Sequence, residues 1–427
     1  MEIIKTYEEI DGLRLEQNWR IDNGKDSFVI PFPTTNPFNL VFHGEQKFEY
    51  GHYGIHLGQE DRLSFLGKPE QFITAYFIDC RVNSKTKGNR LECQYSPSSD
   101  YCLCIPPGVA HAFEGLENIF TINSYKLFLP EPNKWLSGES QWDINNDVIN
   151  LPMDVNDEDL LFFEPNNQSA SEVFYELIRE HQVSNIPNID TEYPFTEDIN
   201  FSDGTNARLM FKKKESKSVK YPEWEPINQI DGLGWKRHLV YWSGEHSGFV
   251  PFLQTSPYYI VDHGFTSYTH DAFGIHIGQQ DRLTFIGDPH QLVKVTFVDC
   301  REDSKTLHKE VTVSFYPTAL RFLIIPNGVA HRFEDLHKVF TINRPIIYSD
   351  DIVNYQPGND VIDWDIKRKD YPIYKVSSTE APINFYKEQA NSQTKLMSTP
   401  PKHSTPIILQ TQTENGEIVK VAIRKNE

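Results

Sequence analysis

Basic side chains are the scarce charge in this chain: 41 Lys and Arg stand against 60 Asp and Glu, for a formal net charge of −19. That balance argues against a nucleic-acid groove or an anionic membrane surface as partner, while a few local cations could still hold a small anion. Cysteine is scarce too. The five are Cys80, Cys93, Cys102, Cys104 and Cys300, an odd number in strand-like settings, so no disulfide framework is expected. Cys102-Leu-Cys104 would put two thiols on one strand face, but no second ligand pair accompanies them and zinc is not expected there. No apolar run approaches the roughly 20 residues that a membrane helix needs. The first residues lack the basic start and apolar core of a signal peptide. The chain reads as cytoplasmic, with no membrane partner.

What is present is an internal repeat. Tyr53 to Arg81 recurs as Phe273 to Arg301, with 16 of 29 positions identical at an offset of 220. The offset holds upstream at Ile10-Asp-Gly-Leu and Ile230-Asp-Gly-Leu. Downstream it holds at the IPPGVAH run ending in His111 and the IPNGVAH run ending in His331. No insertion falls between these landmarks, which marks a duplicated domain. The expected organisation is a domain over 1–165, a helix and polar linker over 166–225, a second domain over 226–385 and a tail over 386–427.

Both copies alternate apolar and polar residues at period two, as in Phe72-Ile-Thr-Ala-Tyr-Phe-Ile-Asp and Leu292-Val-Lys-Val-Thr-Phe-Val-Asp. Short strands broken by Gly, Pro, Asn and Ser clusters predict an all-β sandwich or barrel. Pro-x-Gly before each second histidine predicts a tight turn. Ser169-Ala-Ser-Glu172 offers a capping box, and Val173, Phe174, Leu177 and Ile178 give a helical apolar face. The lysine run from Lys212 to Ser218 reads as a solvated loop. Ser398 to Pro406 reads as a spacer before two strands at Ile407 and Ile418 that form a hairpin.

Each copy keeps a strand histidine (His56, His276), an arginine six residues on (Arg62, Arg282) and a post-turn histidine (His111, His331). Asp79, Arg81, Asp299 and Arg301 are also kept. Inward positions alternate along barrel strands, so such residues can face one cavity. A pocket histidine oriented by a carboxylate can act as a general base near neutral pH, and a cation nearby can stabilise an oxyanion. A duplicated core histidine, or a turn histidine bonded to Asp79 or Asp299, is the alternative for each residue taken alone.

Gly54-Ile-His56, Arg62-Leu, Phe77-Ile-Asp79-Cys-Arg81 with Ser84-Lys-Thr86, and Ile105-Pro-Pro-Gly-Val-Ala-His111-Ala-Phe together resemble the dTDP-4-dehydrorhamnose 3,5-epimerase family. The second copy carries the same set from Gly274 to Phe333, and the likeness spans about 130 residues of each half. The resemblance implies two tandem cupin-like jelly rolls packed like the family's homodimer. The chain would then be a monomer with a pseudo-dimeric domain pair, or a homodimer. It also implies a small-molecule nucleotide-sugar substrate and no cofactor. His56 and His276 would be bases that remove the proton beside a C4 ketone. Arg62 and Arg282 would steady the enolate. Asp159 and Glu380, 103 and 104 residues after their histidines, would orient the bases. His111, His331, Asp79, Asp299, Arg81 and Arg301 would line the substrate pocket.

Two departures stand out. Ile122 and Ile342 occupy the expected place of the family's proton-donating tyrosine, with Tyr348 (Phe128 in the first copy) as a possible neighbour of the second pocket. Tyr53 and Phe273 replace a nucleotide-holding arginine. They keep two readings open: a one- or two-centre epimerase or keto-sugar isomerase, and a binding protein that kept the cavity without turnover. His56-x3-Glu60 with His111 resembles a cupin metal set, but Gln280 breaks it in the second copy, so no metal is expected.

Overall fold

The computed structural model describes residues 3–24, 27–129, 148–185, 196–200, 206–210, 221–242, 247–266, 268–352, 361–365, 370–397, 407–412 and 418–423. The lysine run at 212–218 and the spacer at 398–406 lie outside them. Among the described residues the chain is all-β apart from two helices, and each half is a jelly-roll sandwich of two antiparallel sheets.

In the first half the strands Tyr101–Ile105, Gln59–Leu66, Phe120–Asn123 and Phe38–Phe42 lie side by side in the larger sheet. The smaller sheet runs Val148–Pro152, His52–His56, Val109–Glu114, Ile73–Asp79, Arg90–Tyr95. The second half repeats this register by register. Val109 pairs with Asp79 and His111 with Gly54, and 220 residues on Val329 pairs with Asp299 and His331 with Gly274. Between the two sheets Leu63, Phe65, Phe77, Leu103 and Phe113 form one core, and Leu283, Phe285, Phe297, Leu323 and Phe333 form its counterpart.

The halves exchange strands. Gly248–Phe252 from the second half pairs with Phe38–Phe42, and Ser27–Phe32 from the first pairs with Tyr258–Asp262. Phe252 opposes Phe38 as Phe32 opposes Tyr258, so the contact is isologous, like that of a two-fold dimer. Ile30, Phe38, Leu40, Ile122, Val250, Tyr258, Ile260 and Ile342 bury a shared core at this seam. Arg344 is sealed there. It donates to the carbonyls of Ser256, Phe252 and Asn36, and burial pulls its guanidinium down to about 9.

The turns before the second histidines form as predicted. Gly108 and Gly328 adopt φ of 82° and 80°, and a Cβ at either would strike the Cγ of Arg81 or Arg301 at 2.5 or 2.6 Å. The first helix runs Glu172–Asn185, so Ser171, whose carbonyl accepts from Phe174 N, takes the N-terminal position expected of Ser169. Phe174, Tyr175 and Ile178 face the strand Lys126–Leu129, while Val173 points to solvent. A second helix, Ile383–Met397, crosses the boundary expected at residue 385. Its Phe385-Tyr386 pair repeats Phe174-Tyr175: the Tyr175 hydroxyl accepts from Leu127 N and the Tyr386 hydroxyl from Ile347 N. The strands Ile407–Gln412 and Ile418–Ile423 form their own hairpin. All five cysteines are free, and no described helix is long and apolar enough to cross a membrane.

Candidate active site

The strand Gln59–Leu66 is buried along its whole length, with one face toward the sandwich interior and the other away from it. Period-two alternation turns Gln59, Asp61, Leu63 and Phe65 into a cavity of about 430 Å³. Glu60, Arg62 and Ser64 face the opposite side. Across the interior the smaller sheet brings His52, Gly54 and His56 from one strand and His111 and Phe113 from its neighbour. Asn39, Val41, His43, Tyr50, Thr121 and Asn123 complete much of the wall, and Phe249 arrives from the second half on its exchanged strand. Four histidines and Asp61 are the charged or titratable groups that could meet an anion or a proton, alongside the Tyr50 phenol. Lysine and arginine are absent from the lining formed by described residues.

At the centre is a His–Asp–His cluster. Asp61 Oδ2 lies 3.7 Å from His56 Nε2 and 3.1 Å from His111 Nε2. Its other oxygen, Oδ1, accepts from Gln59 Nε2 at 2.6 Å and Asn123 Nδ2 at 2.9 Å. His111 Nδ1 lies 3.2 Å from Val109 O. A carbonyl only accepts, so that nitrogen carries the proton and Nε2 is left facing the carboxylate. Burial pushes Asp61 up, but the electrostatic pull of the adjacent His56 imidazole, then His111 and Asn123, hold it well below the usual carboxylate range. The second half repeats the cluster: Asp281 Oδ2 is 3.7 Å from His276 Nε2 and 3.6 Å from His331 Nε2. Gln279 and Asn343 donate to Asp281 Oδ1 at 2.7 and 2.8 Å, and His331 Nδ1 lies 3.3 Å from Val329 O. The paired imidazoles stand 5.8 Å apart in both halves. Burial pulls His331 down, against the Asp281 charge.

The structure therefore joins His56 with His111 and His276 with His331, and supplies a carboxylate the sequence reading passed over. Asp159 is exposed and accepts from the Asn156 side chain in a surface turn. Glu380 is exposed beside Tyr348, and its charge acts on Arg282 on the face away from the cluster. Neither stands with its histidine. Arg62 also points away, into a buried set with Glu16, Glu60 at 3.1 Å and Cys102 Sγ at 3.7 Å. Burial opposes the charge of Arg62, and Glu16 more than restores it. Burial would likewise raise the Glu16 carboxyl, but Arg62 and then Arg14 bring it down to about 2. Arg282 finds Gln280 Oε1 at 3.3 Å instead.

Asp79 is fully buried and its carboxylate is used by Arg81, Ser84 and Thr86, while Arg81 also reaches Asp11 O at 2.7 Å. Asp299 and Arg301 repeat that knot with Ser304, Thr306 and Asp231 O. These four brace the post-turn strands, and Asp79 and Arg81 are not among the residues lining the first-half cavity. Ile122 and Ile342 sit in the core between the halves. The cavity side of the strand Phe120–Asn123 shows Thr121 and Asn123 instead, so the place expected for a tyrosine is not where Ile122 stands. Tyr53 and Phe273 are buried on the outer face of the smaller sheet.

Sequence reasoning also missed His43 and His263, Gln59 and Gln279, and Asn123 and Asn343, all kept at the offset of 220. Burial pulls His43 down to about 4, and its Nδ1 lies 3.2 Å from Ser247 Oγ of the second half. Tyr50 lines the cavity while 39% exposed, and desolvation with the Asp61 charge pushes its phenol up to about 12.

The chain matches no protein-family model and no curated protein sequence. Solved structures overlap with it loosely. A dTDP sugar isomerase from Desulfovibrio desulfuricans G20 is 14% identical over 36% of this chain and 92% of its own, with a TM-score of 0.25. A dTDP-6-deoxy-D-glucose-3,5-epimerase from Legionella pneumophila Philadelphia 1, solved with dTDP-4-keto-L-rhamnose, is 16% identical over 38% and 98% of the two chains, with a TM-score of 0.23. Vicilin from Capsicum annuum is 7% identical over 82% and 87%, with a TM-score of 0.26. Overlap at this level carries no functional inference.

Proposed function

We propose that the chain is a carbohydrate epimerase or isomerase acting on an activated 4-keto-6-deoxy sugar, by proton removal beside the ketone. The observation that carries this is the His–Asp–His cluster, kept atom for atom in two diverged halves and set, in the first, in a cavity of sugar size. His56 Nε2 takes the proton from the carbon next to the carbonyl. The electron pair moves into the new carbon–carbon double bond and the carbonyl oxygen becomes the enolate oxygen. Arg62 cannot steady that oxygen from the far face of its strand.

His111 supplies the charge instead. With its Nδ1 proton given to Val109 O, a protonated Nε2 makes the contact with Asp61 attractive, and the resulting imidazolium is aimed into the cavity. Return of the proton to the opposite face of the same carbon gives epimerisation. Its return at the former carbonyl carbon of the enediol gives a shifted ketone. Tyr50 is the phenol available in the first cavity. With no lysine or arginine in the described lining, the sugar ring occupies the cavity and a nucleotide diphosphate extends from its mouth. A binding protein without turnover is the second reading, favoured by the side chains that Phe120–Asn123 offers the cavity, Thr121 and Asn123, neither of them a phenol.

Proton NMR in deuterated water with a panel of nucleotide 4-keto-6-deoxy sugars tests the proposal. Loss of the C3 or C5 proton signal, abolished in His56→Gln/His276→Gln, is the expected result. Saturable binding with no exchange would favour the second reading.

A further inference from the structure

We propose that the outer face of the larger sheet in the first half carries a thiolate site for one divalent thiophilic cation of the zinc class, held by Cys102, Cys104 and Glu16. The site lies on the side of that sheet turned away from the cavity, and nothing in it depends on the carbon-acid reading. Leu103 points into the sandwich core, so period two sends Cys102 and Cys104 together to the opposite face. Strand register supplies the third ligand that the sequence reading lacked. Glu16 stands directly across from Cys102 on the neighbouring strand Arg14–Gln17, while Arg14 and Arg62 flank Cys104 on its two sides. Cys102, Cys104 and Glu16 are all buried.

The geometry suits a tetrahedral ion. Cys102 Sγ and Cys104 Sγ are 3.7 Å apart, against a ligand–ligand edge of roughly 3.8 Å for zinc–sulfur bonds of about 2.3 Å. A Glu16 oxygen lies with both sulfurs inside a span of 4.8 Å. The outer groups are in place as well. Arg14 Nε donates to Glu16 Oε1 at 2.8 Å, and Arg62 Nη2 donates to Glu16 Oε2 while standing 3.7 Å from Cys102 Sγ. Hydrogen bonds of this kind orient a ligating carboxylate and thiolate.

Charge selects the cation. Arg14 and Arg62 balance Glu16 and Glu60, while Lys126, 3.9 Å from Glu60, is exposed and its charge solvated. The buried set is neutral with both thiols protonated. Uptake of one divalent cation releases the two thiol protons, forms two metal–sulfur bonds and leaves the set neutral again. A monovalent cation would leave an uncompensated buried negative charge. Two sulfurs and one oxygen favour zinc over calcium or magnesium. The second half provides the contrast. There the same register sets Gly234, Lys236, Phe322 and Ile324 beside Arg282, four residues with neither a thiol nor a carboxylate, so one cation per chain is expected.

The full-length protein, reduced and freed of metal, is titrated with cadmium as the ultraviolet probe of a zinc–thiolate site. Thiol titration in denaturant first confirms that all five cysteines are free. The expected result is a sulfur-to-cadmium charge-transfer band that saturates at one equivalent per chain and is suppressed by excess zinc. Imidazole and carboxylate ligands give no such band, so binding elsewhere on the chain is not counted. The band is lost in Cys102→Ser/Cys104→Ser and kept in Cys93→Ser, and cadmium affinity falls at least about tenfold in Glu16→Gln. Circular dichroism and a melting curve establish that each variant is folded. Should Glu16→Gln fail to fold, Glu16→Asp, which keeps the charge and withdraws the oxygen, takes its place. Absence of a saturable band in the reduced parent, a band that zinc cannot suppress, a band that survives in the double-serine chain, or undiminished affinity in the Glu16 variant overturns the proposal.

Discussion

In the first half the wall facing the cluster carries Asn39 and Tyr50; in the second the same register positions carry Tyr259 and His270. Asn39 is opposite Asn123 and leaves the cavity open. Tyr259 is opposite Asn343, and its hydroxyl accepts from Asn343 Nδ2 at 2.6 Å and Gln279 Nε2 at 3.4 Å. A phenol thus rests on the two amides that hold the Asp281 carboxylate. The cluster atoms are alike, but the space and the phenols around them differ. Two copies of one cluster therefore need not carry equal work, and under the proposed function the first half is the one with room for a sugar.

The largest test of that asymmetry is to remove each base separately. His56→Gln is expected to lower deuterium exchange at the sugar carbon by about 10²- to 10⁴-fold, the usual worth of a positioned base, while His276→Gln lowers it far less. Asp61→Asn comes next. It keeps the shape but removes the charge that binds the imidazolium, and a fall in exchange of about 10- to 100-fold is expected, read by the same NMR assay.

The opposite faces of the same strands differ in stability. Arg62→Met leaves Glu16 buried with Arg14 alone, at a cost of about 3 kcal/mol in denaturant unfolding. Arg282→Met should cost less than about 1 kcal/mol, since its guanidinium donates to the uncharged Gln280. The sign with pH follows. Glu16 is held down to about 2 in the folded chain, so its contribution is full above its ordinary value of 4.5 and is lost as pH falls from 4.5 toward 2. The Arg62→Met chain should lose less stability over that window.

An effect smaller than that of Arg62→Met, and confined to one end of the pH range, lies at the seam. Asp262 accepts from Ser99 Oγ of the first half and from Gly264 N, and burial pushes its carboxyl up to about 6. A raised carboxyl favours the folded state most below 3.8 and loses that contribution as pH rises through 6. Asp262→Asn is therefore expected to melt higher than the parent at pH 8, by an amount on the order of 1–2 kcal/mol, and to show no advantage at pH 4.

Much of the fold was legible because alternation marks strands locally and the repeat aligned them. Strand exchange was not, since alternation in Ser27–Phe32 says nothing about which sheet it joins. The second helix was hidden in a polar tail, although Phe385-Tyr386 echoes Phe174-Tyr175. At the site, the histidines stood out through the repeat. Asp61 and Asp281 lay inside the same repeated string and were overlooked in favour of acids a hundred residues downstream. Arg62 misled for a physical reason: every residue of Gln59–Leu66 is buried, so polarity gives no hint of which parity faces the cavity. Only the register of the surrounding strands decides that.

The central claim is that the first-half cluster removes a carbon-bound proton. Proton NMR in deuterated water, with one reactive nucleotide 4-keto-6-deoxy sugar, compares parent, His56→Gln and His276→Gln side by side. The account predicts loss of one sugar-ring proton signal with parent and His276→Gln, and retention of it with His56→Gln. Equal exchange by parent and His56→Gln would contradict it.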